Sequence, residues 1–157
     1  MINLSFSLPE PASPWRRTWD GAKQGDPAGI AEIDLRYKYF GVNVEMVVDD
    51  VEIISKKRFV TLVDLALSLR GVVERISRGE DAAFGFTESE EVIRLRQAGD
   101  SISVSSSKKP EQASVASGEL LEKISEFLQS AHSRLVEEIP ELGENLIVRR
   151  ITSGSGL

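Results

Sequence analysis

The only histidine of this sequence, His132, is of the residue type that most often serves as a catalytic base. A hydrolytic or transfer reaction needs such a base beside a nucleophile. His132 lies in the run Ser130-Ala131-His132-Ser133, toward the edge of the apolar face marked by Leu128 and Leu135. No local pattern supplies it with a triad partner. Carboxylates offer a second route, through a metal or an acid–base pair. Asp49-Asp50 and the group Glu88, Glu90 and Glu91 are the densest candidates, and both fall at expected turns, where acids face solvent. Neither follows a calcium-loop spacing. Asp64, within Val63-Asp64-Leu65, suits the third position of a helix, where a negative charge favours the dipole. There is no cysteine, hence no thiolate site. Neither glycine-rich nucleotide fingerprint occurs. The reading assigns no catalytic residue, no metal site and no cofactor.

Recognition chemistry is better represented. Trp15 and Trp19 stand four residues apart around Arg16-Arg17, and tryptophan and arginine are enriched at interface hot spots. The same spacing also fits a single turn pinned to the core by two indoles. Glu88, Glu90 and Glu91 form an acidic element on an expected turn, a place where binding residues are commonly displayed. The candidate partner-binding residues are therefore Glu88, Glu90, Glu91, Trp15, Arg16 and Trp19.

The elements that must position these residues follow from periodicity. Ile2, Leu4, Phe6 and Leu8 alternate with polar residues, as a half-buried strand does, and Pro9, Pro11 and Pro14 stop it. Pro9 to Gly29 shows no sustained period and reads as a long loop. Ile33, Leu35, Tyr37 and Tyr39 alternate with charges and read as a strand. Further strands are expected at Val42 to Val48, Val51 to Ile54, Phe84 to Phe86, Val92 to Arg96, Ile102 to Val104 and Ala113 to Ala116. Leu62 to Ser77 and Gly118 to Ile139 carry apolar residues at three- and four-residue steps and read as helices, capped by Thr61 and Ser117. The expected fold class is α+β: an antiparallel sheet of about six to eight strands with two main helices packed on one face. Residues 1–152 are read as a single domain and 153–157 as a flexible Ser-Gly tail.

The 157 residues carry a net charge of −6. From Glu111 to Glu144 there are eight acids against Lys123 and Arg134, a surface that repels a phosphate backbone. Arg16-Arg17, Lys56-Lys57-Arg58, Lys108-Lys109 and Arg149-Arg150 are short basic runs, read as solvated loops. No segment approaches the roughly 18 apolar residues of a membrane span, and the first residues make a poor secretory signal. The expectation is a cytoplasmic protein that binds neither nucleic acid nor membrane.

The stretch from Tyr37 to Ile139, with Phe86-Thr87-Glu88-Ser89 and the long last helix, resembles small uncharacterised bacterial α+β domains. Some of these are thought to be immunity proteins that neutralise polymorphic toxins. The resemblance covers about two thirds of the chain, rests on pattern, and implies a binding protein rather than an enzyme. A basic toxin domain is the partner it implies, and an acidic surface would steer such a partner and block its phosphate site. The rival expectation is a small-ligand receptor or enzyme with a pocket between sheet and helices, lined by Asp34, Arg36, Tyr37 and Tyr39.

Overall fold

A computed structural model describes residues 1–86 and 89–152. The class is α+β, with all strand pairs antiparallel. Among the described residues, hydrogen bonding divides seven strands into two sheets. One has the order β1 (Ile2–Ser7), β2 (Gly41–Val48), β3 (Val51–Thr61). The other runs β4 (Ala82–Phe86), β5 (Ser89–Ala98), β6 (Ser101–Ser106), β7 (Gln112–Ala116). Helix α3 (Leu62–Ser77) links the sheets and α4 (Ser117–Glu138) follows the second. The described residues also hold three short α-helices, α1 (Arg17–Ala22), α2 (Glu32–Tyr37) and α5 (Leu146–Arg149), and 3₁₀ turns at Pro14–Arg16, Pro27–Gly29 and Pro140–Glu144.

One core holds these elements together. The alternating residues Val42, Val44, Met46 and Val48 of β2, and Ile93 and Leu95 of β5, are buried. So are Leu65 and Leu69 of α3, and Ile124, Phe127 and Leu128 of α4. The two long helices pack on each other, α3 also against β4, and α4 against β1. Their three-to-four spacing makes one stripe of each helix the inward one. The β2–β3 hairpin turns at Asp49-Asp50, both with positive φ (47° and 68°), a conformation that aspartate tolerates better than most residues.

Local structure differs from the sequence expectation in several places, Arg16-Arg17 and Arg149 among them, which are helical rather than in loops. Ile33 to Tyr39 is not a strand: Glu32–Tyr37 is helical. The alternation misleads because only Leu35 is buried, whereas Ile33 and Tyr37 are exposed. The helix is favoured instead by the i,i+4 pair of Glu32 with Arg36 at 3.0 Å, and Asp64 at the start of α3 accepts from the same guanidinium at 2.6 Å. The loop expected from Pro9 to Gly29 contains a 3₁₀ turn at Pro14–Arg16 and then α1. The basic triplet Lys56-Lys57-Arg58 lies inside β3 rather than in a loop, because that strand continues to Thr61. Neither Thr61 nor Ser117 caps through its side chain, and Ser117 is already the first residue of α4. Its hydroxyl donates to the Asp100 carbonyl at 3.1 Å.

Candidate functional site at the edge of the first strand

The six sequence-selected residues do not converge on one site. Trp19 is 1 % exposed and donates from Nε1 to the Gly41 carbonyl at 2.8 Å, which fixes α1 against β2. Trp15 stacks flat on Phe59 of β3, ring centroids 5.1 Å apart. Arg16 is half-buried and donates to the Pro9 carbonyl at 3.4 Å. This segment is therefore tied down by its indoles, and Trp19 offers no surface to a partner.

The acidic element fares similarly. It was expected on a turn, but Glu90 and Glu91 lie in β5, so they point to opposite faces of the sheet. Glu90 is exposed. Glu91 is 3 % exposed and ion-paired with Arg58, with Ser106 donating to the same carboxylate. Its place as a surface contact is thus corrected by its inward position, in line with Ile93 and Leu95. Glu88 lies outside the described residues.

A different surface is concave. A groove of about 540 Å3 runs between β1 and α4, lined by Leu4 to Leu8 on one side. Phe127 forms part of its lining, and Phe6 meets that ring edge-on at 5.4 Å. Leu4, Phe6 and Leu8 are only partly buried, so apolar surface is open to the groove. The opposite wall carries Glu126, Ser130, Ser133, Arg134 and Glu137. From Ser117 to Glu138 the helix has five carboxylates (Glu119, Glu122, Glu126, Glu137, Glu138) against two cations, Lys123 and Arg134. Glu126 pairs with Lys123 at 3.4 Å and Glu137 with Arg134 at 3.5 Å, so each acid of this wall already has a cation on the same helix.

The strand supplies polar groups as well. Among the described residues β1 is at the end of its sheet and pairs on one side only. The Met1 carbonyl accepts from Asp49 N–H at 2.8 Å, so the odd-numbered residues of β1 face β2. The Ile2 N–H points the other way and donates to Glu119 Oε2 at 3.0 Å. In an antiparallel ladder this alternation continues, so the N–H and C=O of Leu4 and Phe6 also face away from β2. Sequence reading identified β1 and the acid-rich helix separately. It lacked the neighbour relation that joins them, whose only trace was a first strand without charge or proline.

The alternative pocket residues do not assemble. Arg36 is engaged by Glu32 and Asp64, Tyr37 projects into solvent, and Tyr39 leans on Phe40 at 5.9 Å. None of them, nor Asp34, lines the β1 groove, the 390 Å3 cleft at Arg75, Arg94 and Arg96, or the hollow at Gly25. His132 is half-buried on α4 and is not part of the groove lining. Among the described residues no three His, Asp or Glu side chains gather closely enough to hold a metal ion. No described helix is long and apolar enough to cross a membrane. No family model, no curated protein and no solved structure matches the chain.

Proposed function

We propose that this chain is a non-catalytic protein-binding domain that receives a basic partner on the acidic rim of the β1–α4 groove. The observation carrying this reading is the exposed apolar floor beside a helix with five carboxylates and two cations; Glu126 and Glu137 on its wall are themselves paired with Lys123 and Arg134 at 3.4 and 3.5 Å. Charge on such a rim acts mainly by raising association rate and excluding acidic competitors, while the apolar floor slows dissociation. Following the resemblance of Tyr37 to Ile139 to small bacterial α+β domains, some of them thought to be immunity proteins, the partner is a basic bacterial toxin domain, and neutralisation takes place in the cytoplasm.

Selection from a displayed library of random ten-residue peptides tests the reading. Enriched peptides should carry Lys or Arg beside apolar residues, bind more weakly as salt rises, and lose affinity for a Glu126→Lys, Glu137→Lys double variant. A library that yields nothing, or yields peptides indifferent to that variant, overturns it.

A further inference from the structure

We propose that the partner is held as an added strand: an extended segment of it pairs with the outer edge of β1 inside the groove. This inference rests on the acidic-groove reading and specifies how the partner is gripped.

An edge strand presents unpaired N–H and C=O groups to any extended chain, and proteins usually blunt such edges with lysine, proline, bulges or a covering element. β1 has the sequence Ile-Asn-Leu-Ser-Phe-Ser, with no charge and no proline, and its pairing with β2 runs without a bulge. Its cover is α4, and that cover is incomplete. The helix meets the strand first where Glu119 accepts the Ile2 N–H, and again where Phe127 meets Phe6. From Glu119 to Phe127 a helix rises roughly 12 Å. From Ile2 to Phe6 a strand advances roughly 13 Å. Helix and strand therefore run side by side at matching pace. One outward donor, that of Ile2, is satisfied by a carboxylate, and by the alternation of the ladder the next two belong to Leu4 and Phe6, residues that line the groove.

Strand addition uses such an arrangement fully: main-chain hydrogen bonds hold the segment, and alternate side chains choose it. Here one set of partner side chains would lie on Leu4, Phe6 and Phe127, and basic residues beyond them would reach Glu126 and Glu137. The distance from Leu4 to Leu8, roughly 13 Å, accommodates a strand of about five residues. A second copy of this chain is a poorer occupant. Its β1 would bring an equally acid-rich α4 toward the same rim, setting like charges together.

The test uses the tightest ten-residue peptide from the selection and the full chain. Single backbone N-methyl groups are walked along the peptide, each removing one N–H. Strand addition predicts an alternating pattern, with affinity falling about tenfold at every second residue and little between. On the ¹⁵N-labelled chain, the amide signals of Leu4 and Phe6 should shift most. Leu4→Pro removes an N–H that β2 does not use, so it should preserve the fold and abolish binding, whereas Ser5→Pro should disrupt the β1–β2 ladder. Binding that is salt-dependent but indifferent to N-methylation overturns strand addition and leaves the acidic-groove reading standing. A library that enriches no peptide overturns both. A dimer in sedimentation, with the Leu4 and Phe6 amides at its interface, gives the edge to a second copy and overturns the proposal.

Discussion

Arg58 of β3 reaches out of the three-stranded sheet to grip Glu91 of β5 in the other sheet. The same guanidinium donates to Ser89 Oγ at 2.9 Å and lies over the Phe86 ring at 4.9 Å, while Ser106 donates to the carboxylate from β6. A carboxylate this buried is tolerable only with such partners. Among the described residues the sheets share no strand-to-strand ladder, so this cluster is a polar tie between them.

Removing one half of that tie leaves the other half uncompensated. Glu91→Ala should therefore cost about 3 kcal/mol, the lower end of the range for breaking a buried pair, because Arg58 keeps some access to water. Urea unfolding checks this. Adding Arg58→Met should recover part of the loss, since the orphaned cation is gone; two strictly additive losses would mean that the residues do not act as a pair.

Gly41 is the second place where a small change should be felt. A Cβ there would overlap the Trp15 ring, and Trp15 is already stacked between β2 and Phe59. Gly41→Ala should displace the indole and cost about 1–3 kcal/mol, as overpacking does. Tryptophan fluorescence should report a more solvated indole, and in a Trp19→Phe background the signal belongs to Trp15 alone.

Much of this architecture was legible from periodicity. The Leu62–Ser77 helix coincides with its expected span, and the alternation in β1, β2, β5 and β6 matches the observed burial. What failed did so where local pattern and tertiary context disagree. Ile33 and Tyr37 alternate like strand residues yet stay exposed, and the segment is helical beside Asp64 and Arg150, partners remote in sequence. Glu91 read as a turn acid because its partner Arg58 lies 33 residues away. Asn145 gave no signal at all, although its buried amide donates to the Pro27 and Ile30 carbonyls at 3.0 and 3.1 Å while its oxygen caps α5. The groove was hidden for the same reason: β1 and α4 are neighbours only in the folded chain.

Acid should loosen the attachment of α2. Glu32 accepts from Arg36 and is paired with Arg150 at 3.2 Å. The hydrogen bond from Arg36, helped by the charges of both arginines, holds its carboxyl below the usual carboxylate value. A depressed folded-state pKa stabilises above the unfolded value, about 4.3, and that contribution fades as the pH falls through the folded one. Urea midpoints measured from pH 7 to pH 3 should show the native chain more stable than Glu32→Gln near neutrality, with the gap closing below about pH 4. A gap constant across that range would show that Glu32 gains nothing from its arginines when folded.

The two exposed acidic surfaces can be separated by charge reversal. Glu90 on β5 remains open to solvent, whereas Glu126 and Glu137 stand on the groove wall. A rim charge acts at long range on the rate of encounter, and its influence shrinks as salt shortens the screening length. With a basic peptide as probe, Glu126→Lys together with Glu137→Lys should slow association by roughly tenfold at low ionic strength. Glu90→Lys should have a much smaller effect, because Glu90 is not among the residues that line the groove. Stopped-flow rates at two salt concentrations make the comparison. An equal slowing from Glu90→Lys alone would move the docking surface to β5 and leave the β1 groove without a partner.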